Sequence, residues 1–569
     1  MTYTLTFKPA IGLYGQHDPS AALFRDGDLC YAVEEERITR QKHAVDTFPH
    51  NAIEACLDYG NLSMGDLDKI ILPYDPSLQT NILPHYIQTA LTADSWPKRL
   101  ASLEETVITQ IRGKLYPTQQ IENELSKIDG SVPQIETKPH HACHAASAFH
   151  PSPFDNALVL TIDAKGEYDS TVVWRGTGDG LDRIQTYEHP NSLGLFFGII
   201  TEYLGYWMSN GEGKVMGLAP YGNPNPEIES ALREVIDTGV DYDVTHLTRQ
   251  WGTDPGIEQL EELFDRPRRT EGGEFTQWEK DLAFTAQSLL EEIVVDIVET
   301  YCRELETANV ALAGGVALNC KVNQRVIESE LVDDVFIQPA AHDAGLALGA
   351  GWLDHSPDEI EPLETVYLGP SYPIDEIRER LSENKIDYYE PANLERYVAE
   401  QIADGALVGW FQGRLELGPR ALGNRSILAD PRTADSRDRV NEFVKHREGW
   451  RPFAPSMLES AVEEYLEPAR SAPFMITTAN VKPEKQDEIT AVLHPTDGTT
   501  RPQTVRKDQN PRYHTLLEEF EAITGVPVLL NTSFNDHAEP IVMTPAEAIK
   551  DFYGMGLDCL VLENIVIEK

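Results

Sequence analysis

Short apolar runs separated by turn signals open the chain. Between residues 5 and 34 an apolar run meets Gln16-His17-Asp18-Pro19, the run Ser20 to Phe24 meets Asp26-Gly27-Asp28, and Leu29 to Val33 follows. The pattern predicts strand, turn, strand, turn, strand. It returns at 157–175, where Ala157 to Ile162 is apolar, Asp163 to Asp169 polar, Ser170 to Trp174 apolar, and Gly176 to Gly180 a second turn. Each copy has an acid after its first strand and a small hydroxyl opening the next: Asp18 with Ser20, and Asp163 with Ser170. The repeat predicts an α/β domain built by internal duplication. Two unrelated hairpins in an α/β protein are the alternative.

A helix is expected to start after Pro139, in His140-His141-Ala142-Cys143-His144-Ala-Ala-Ser147-Ala-Phe149. The polar stretch Asp354 to Pro362 reads as a linker, and strand and helix signals restart at Ile374 and at Ala406 to Trp410. We place a domain boundary near 365, giving domains 1–365 and 366–569. Residues 266–274 form an exposed loop in the first domain, and 478–510 a long polar excursion in the second. Val526 to Leu530 reads as a buried strand ending at Asn531-Thr532-Ser533-Phe534-Asn535.

The 569 residues carry 93 acidic and 47 basic side chains, a formal charge of −46. No broad basic face is available, which argues against a nucleic-acid partner or an anionic membrane surface. The acids are spread among ordinary hydrophobic segments, so the chain is not disordered. A surface this anionic repels itself at low salt and is screened in molar salt, where the Debye length is about 3 Å; a salt-loving protein is expected. Cys30, Cys56, Cys143, Cys302, Cys320 and Cys559 include no CxxC, so neither a disulfide scaffold nor a thiolate zinc site is indicated. The start of the chain resembles no signal sequence and no stretch is long enough for a membrane span, so a cytoplasmic location is expected.

Three groups of residues carry candidate chemistry. His140 and His144, four residues apart, put two imidazoles on one helix face, and Asp343 in His342-Asp343-Ala-Gly345 is a candidate third ligand. Two imidazoles and a carboxylate with open positions suit Fe(II) or Zn(II). Two glycine clusters, Gly211-Glu-Gly213-Lys214-Val-Met-Gly217 and Gly314-Gly315-Val-Ala-Leu-Asn319, are candidate loops for close backbone approach to a phosphate or sugar, although neither has the Walker or Rossmann spacing. In the second domain nine of the 38 residues from Arg414 to Arg451 are basic, against about three at the chain average. Arg437 and Arg439 stand in an Asp-rich run and are expected to pair with it. Arg420, Lys445 and Arg451 stand among glycine, proline and aromatic residues, a setting for a cluster that binds a small phosphorylated anion. Asn531, Thr532, Ser533 and Asn535 would rim an amide-bearing ligand.

Taken together, these segments resemble the O-carbamoyltransferases of nodulation-factor and antibiotic biosynthesis, the NodU- and CmcH-type enzymes. The markers are His17-Asp18, His140-x-x-x-His144, Asp163 with Gly166-Glu167, Glu212 to Gly222, Gly314 to Asn319, His342-Asp343, Leu417 to Arg425, Arg451 to Pro455 and Asn531 to Asn535. The resemblance implies an α/β chain with an N-terminal duplicated actin-like ATPase domain, similar to the tRNA threonylcarbamoyl transferase. A C-terminal domain similar to threonylcarbamoyl-AMP synthase, YrdC-like, would follow. It further implies that carbamoyl phosphate binds Arg420, Lys445, Arg451, Arg501, Asn531, Thr532, Ser533 and Asn535, with Lys445 and Arg451 acting on it. Loss of the donor's phosphate leaves carbamate, which meets ATP, with Mg(II), to give carbamoyl-adenylate and pyrophosphate, and the adenylate passes inside the protein to the first domain. Gly213, Lys214, Gly217, Gly314, Gly315 and Asn319 would hold its AMP portion. A metal on His140, His144 and Asp343, iron by preference with zinc or manganese as alternatives, would polarise the carbamoyl group. His17 is expected as the base acting on a hydroxyl of a small-molecule or sugar acceptor, with Asp18, Asp163 and Glu167 in the same catalytic set.

Two positions depart from the family pattern. Asp163-Ala164-Lys165-Gly166 stands where Asp-Gly-x-Gly is usual, and Ala538 where glycine commonly precedes Glu-Pro. A tRNA threonylcarbamoylation-type enzyme and a non-catalytic nucleotide-dependent sensor are the competing readings. Segments near 75–125 and 240–280 are the expected selectors of the acceptor, and self-association is left open.

Overall fold

The computed structural model describes residues 1–79, 87, 96, 99, 100, 115, 118–128, 130–249, 253–270, 272–355, 360–447 and 449–569. Most of the acceptor segment expected at 75–125, and residues 250–252 and 271 of the other, lie outside them. The chain divides into two compact units, one of residues 1–35 and 43–363, the other of 36–42 and 364–569.

The first unit contains two five-stranded sheets. One comprises β1 (Tyr3–Lys8), β2 (Ser20–Arg25), β3 (Asp28–Glu34), β4 (Lys69–Leu72) and β5 (Gln134–Thr137), in the order β3-β2-β1-β4-β5. The second comprises β6 (Asn156–Ile162), β7 (Asp169–Thr177), β8 (Gly180–Glu188), β9 (Asn309–Ala313) and β10 (Asp334–Ile337), in the order β8-β7-β6-β9-β10. In each sheet three antiparallel strands are followed by two that run parallel to the first. Tight turns suffice for the antiparallel strands, whereas the parallel ones need long crossovers. The sequence repeat therefore reports a duplicated fold, and β8 adds a strand that the repeat did not include.

Each copy feeds a helix after its fifth strand, His140–Phe149 in the first and Asp343–Gly345 continuing into Leu346–Trp352 in the second. The first helix is rich in Ala and the second in Ala and Gly because their backbones nearly touch: a Cβ on Gly349 would lie 1.8 Å from the carbonyl oxygen of Cys143. The starts of these two helices bring His140 and Asp343 together. Five of the six cysteines are buried and all are free thiols.

The second unit is a seven-stranded mixed sheet of β11 (Val408–Phe411), β12 (Arg425–Ala429), β13 (Ala454–Leu458), β17 (Gln503–Val505), β18 (Val528–Ser533), β19 (Cys559–Leu562) and β20 (Ile565–Glu568). Its order is β17-β13-β18-β12-β11-β19-β20, beside a small sheet of β14 (Leu466–Glu467), β15 (Ala479–Val481) and β16 (Thr499–Thr500). The excursion at 478–510 thus carries two strands of the small sheet and β17. The strand expected at 526–530 runs on through Asn531, Thr532 and Ser533, because the ladder with β12 pairs Leu428 with Asn531 and Ser426 with Ser533. Among the described residues no helix is long and apolar enough to cross a membrane.

Candidate functional site

In the first unit, four side chains converge at the paired helix starts. His144 Nε2 is 3.0 Å from Asp163 Oδ2 and 3.8 Å from Asp343 Oδ1. His140 Nε2 is 3.5 Å from Asp163 and 3.8 Å from Asp343, and it is buried with no hydrogen-bond partner. One ligand atom from each of His140, His144, Asp163 and Asp343 lies within 4.8 Å of the others. An unpartnered buried imidazole nitrogen is costly unless something binds it, and two imidazoles with two carboxylates suit a first-row divalent metal. The residues present therefore fit such an ion. Asp163, expected to act on substrate, joins the three expected ligands because it ends β6 beside the helix.

Electrostatics follow from this crowding. Burial disfavours the charged His144 imidazole, but hydrogen bonds to Asp163 and Asp343 more than offset it and raise its pKa to about 9. Burial also opposes the charge on Asp343, yet the Lys8 ammonium and His144 hold its carboxyl well below the usual range. Lys8, at 2% exposure, contacts Asp343 Oδ2 at 3.0 Å and also donates to the carbonyl of His17. Neither Lys8 nor its role was marked by a motif; a lone lysine in an apolar strand was the available signal. His141, between the two candidate ligands, is kept neutral by burial, with Nε2 against the Asp169 carbonyl and Nδ1 against Thr161 Oγ1.

His17 and Asp18 are adjacent to this cluster through Lys8. His17 Nδ1 is 2.9 Å from Asp18 Oδ2, and His43 Nδ1 is 2.8 Å from Asp18 Oδ1. Burial pushes the Asp18 carboxyl up, but these two imidazoles hold it well below its ordinary value. Burial also works against a charged His17, and the bond to Asp18 outweighs it, leaving the imidazole raised. Its Nε2 is 3.4 Å from Ser209 Oγ. His43, 25 residues downstream in an unremarkable polar run, was missed by sequence reasoning.

Other expected residues hold the frame. Glu167 accepts the backbone N–H of His140 at 2.9 Å and of Asp75 at 2.7 Å, so its carboxylate caps the helix that carries His140 and His144. Lys165, where the family pattern departs, is half-buried, and burial lowers its ammonium to about 8. Gly211 to Gly217 is a helix (Glu212–Leu218) rather than a glycine loop, with the Lys214 ammonium 4.5 Å above the Tyr206 ring. Gly213 has open space around it, and Gly217 lies in the last turn of that helix. The other cluster is a true turn: Gly314 has φ +89°, and a Cβ there would lie 2.2 Å from the Ile162 carbonyl oxygen. A Cβ on Gly315 would lie 3.3 Å from Asp163 Oδ1, which puts this turn against the metal-ligand candidates. Asn319 caps the helix Cys320–Ile327 and pairs with Gln287 at 3.0 and 2.9 Å.

In the second unit the centre is Lys445, buried at the end of a π-turn (Asn441–Lys445). Its ammonium donates to the Ser533 carbonyl at 2.6 Å, Ser533 Oγ at 3.2 Å, the Asn535 carbonyl at 3.2 Å and Asn535 Oδ1 at 2.7 Å. Burial lowers its pKa, and the charges of Arg447 and Arg451 push the same way. That concentration of positive charge is what an anion relieves. Arg501 contributes a buried Nε with no partner, and Asn531 a buried Oδ1 with none, while Asn531 Nδ2 bonds Ala421 O, Ser456 Oγ and Gln503 Oε1. Thr532 follows on β18 opposite Ile427. Arg420 lies in the turn between Gly418 and Gly423, both at positive φ, with its Nε buried.

Three other basic residues of that window have protein partners. Arg437 pairs with Asp438 of its own Asp-rich run as expected, whereas Arg439 pairs with Asp558, far from that run in sequence. Arg425 is fully buried over the Phe411 ring and donates to the carbonyls of Gln412, Asn424, Pro370 and Gly413.

Comparison with known proteins gives the chain a family. Residues 10–352 match the family described as Carbamoyltransferase N-terminus, and residues 399–569 match Carbamoyltransferase C-terminus. The chain is 39% identical to nodulation protein NolNO of Sinorhizobium fredii over 97% of its own length and 79% of that protein. It is 41% identical to nodulation protein NolO of Bradyrhizobium diazoefficiens over 76% of this chain and 78% of that protein. Component A of (R)-2-hydroxyglutaryl-CoA dehydratase from Acidaminococcus fermentans is a distant solved structure, 13% identical with a TM-score of 0.32 over 63% of this chain and 99% of its own. With both halves matched in order, the chain belongs to the carbamoyltransferase family and is a carbamoyltransferase enzyme.

Proposed function

We propose that this carbamoyltransferase makes carbamoyl-adenylate from carbamoyl phosphate and ATP in its second unit, a YrdC-like domain of residues 366–569. The actin-like domain of residues 1–365 then transfers the carbamoyl group to an acceptor hydroxyl. The observation that carries the reading is one chain with two unlike polar centres. One is a cationic cradle around Lys445, suited to a phosphate and an amide. The other is a histidine–carboxylate cluster suited to a divalent ion.

In the second unit, Lys445, Arg451, Arg420 and Arg501 neutralise the phosphate of the donor, and Asn531 Oδ1 accepts from its amide. Ser533 and Asn535 hold the Lys445 ammonium in place. In the first unit, the Gly314–Gly315 turn and the 212–218 helix receive the AMP portion beside Asp163. His140, His144, Asp163 and Asp343 hold a divalent ion, iron by preference, which supplies Lewis acidity for the carbamoyl carbonyl when bound. Asp18 orients His17 through Nδ1, which leaves Nε2 to take the acceptor's proton. Asp18 also spreads its charge over His43, so the dyad is held from both sides. Glu167 fixes the backbone of His140.

His144→Ala tests the division of labour. Pyrophosphate release from ATP, dependent on carbamoyl phosphate, is expected to continue at the parent rate while transfer to an acceptor falls by at least 100-fold. Equal loss or equal survival of both steps refutes the reading.

A further inference from the structure

Residues 36–42 follow β3 in sequence but belong to the second unit. Two arginines hold them there. Arg37, 2% exposed, donates from Nη2 to the Gly418 carbonyl at 2.7 Å, and its Nη1 is 2.9 Å from the Glu36 carboxylate. Gly418 has φ +100° and stands two residues before Arg420, so Arg37 clamps a backbone turn whose conformation decides where Arg420 points. Arg40 donates to the Ile541 carbonyl at 2.7 Å and the Pro540 carbonyl at 2.7 Å, and is 3.4 Å from Glu539 and 3.5 Å from Glu547. The Glu539 carbonyl in turn accepts from Asn535 Nδ2 at 2.6 Å, and Asn535 Oδ1 accepts from Lys445.

Arg37 is a buried guanidinium paired with a carboxylate, and taking such a pair out of water is costly. Here the two arginines buttress two loops, one carrying Arg420 and the other leading to Asn535, which bonds Lys445. We infer that the segment 36–42 is a strap belonging to the anion site, with Arg37 and Arg40 as positioning residues for Arg420 and for the Asn535–Lys445 pair. The charge of Lys42, two residues beyond Arg40, also reaches Lys445, consistent with the strap lying close to the cradle. The inference rests on the proposal that this cradle binds the phosphorylated donor. It adds that a segment from the N-terminal family region completes the site.

The strap continues directly into His43, which bonds Asp18 of the first unit. Glu35, at its other end, accepts from Asn51 and from the Ala52 backbone N–H at 2.7 Å in the first unit.

The full-length variants Arg37→Ala, Arg37→Lys and Arg40→Gln test this. Each is titrated with inorganic phosphate by calorimetry and assayed for the KM of carbamoyl phosphate in pyrophosphate release. The thermal midpoint and the zinc content of the histidine cluster are measured alongside. Arg37→Ala and Arg40→Gln are expected to weaken phosphate at least tenfold and to raise the KM for carbamoyl phosphate similarly, with the KM for ATP and the zinc content unchanged. Arg37→Lys, which retains one donor for the Gly418 carbonyl, is expected to recover to within threefold of the parent. Phosphate affinity within twofold of the parent in a folded variant overturns the inference, as does a parallel fall in affinity, zinc content and thermal midpoint. Should Arg37→Ala not fold, Arg40→Gln decides, since that side chain is 21% exposed and tolerates replacement. A parent protein that binds phosphate yet releases no pyrophosphate refutes the proposed function and leaves the strap to be judged by the phosphate titration.

Discussion

Lys8→Met removes a buried cation while keeping an apolar stem of similar length. The ammonium lies 3.0 Å from Asp343 Oδ2 with both side chains largely out of water, at 3% and 13% exposure. At an effective dielectric of about 20 the pair interacts by roughly 5 kcal/mol, and breaking a buried pair from one side costs about 3–5 kcal/mol because the other charge is stranded. Asp163 shares the cluster, so two carboxylates then face only the imidazoles of His140 and His144 within it. Urea unfolding in chelator is expected to show that loss of about 3–5 kcal/mol. A divalent ion returns positive charge to the same carboxylates, so saturating Zn(II) is expected to stabilise Lys8→Met by more than it stabilises the parent. Transfer falls as well, because Lys8 also holds the His17 carbonyl. A loss below about 1 kcal/mol in chelator, or a loss that Zn(II) leaves unchanged, would refute the view that Lys8 balances the cluster's charge.

Two further substitutions probe the frame and its titration. Gly314→Ala puts a Cβ 2.2 Å from the Ile162 carbonyl at a φ of +89°, and is expected to abolish cooperative thermal unfolding of the first unit. Gly213→Ala is the contrast: that glycine sits in the helix Glu212–Leu218 with nothing within 4 Å of a Cβ, so a gain of about 0.5–1 kcal/mol is expected in the same melt. Burial raises Asp551 from 3.8 to about 6. Its folded form holds a proton that the unfolded chain releases, so this group favours folding less as pH rises from 3.8 to 6 and costs stability above 6. Asp551 is 3% exposed, so Asp551→Asn is expected to stabilise the protein by up to about 3 kcal/mol at pH 7.5, the worth of a two-unit shift, and to do nothing at pH 4. Equal effects at both pH values would exclude the titration as the cause.

The local sequence determined a good deal here. The apolar runs at 5–34 and 157–175 were legible as strands because a period of two and its bounding turns are local properties. Their repetition announced the doubled sheet. His140 and His144 were legible as a pair because helical spacing alone puts them on one face. Lys445 and the 531–535 run stood out by composition and by their place at a strand end.

What the sequence could not supply was pairing across long separations. Asp163 became a fourth ligand candidate because β6 ends where two helices from different copies meet, an arrangement that close Gly349–Cys143 contact enforces. Lys8 became a counter-ion to Asp343 across 335 residues. Glu167 turned into a helix cap and Gly211 to Gly217 into a helix because backbone hydrogen bonds and packing set their local structure. The strap at 36–42 is the clearest case: nothing in Glu36 to Lys42 announces that it belongs with residues 364–569. Local patterns fix which elements form, since propensity and periodicity act over a few residues. Tertiary packing decides which charges face each other once water is removed, and with that it decides which of the legible residues hold the frame and which form the site.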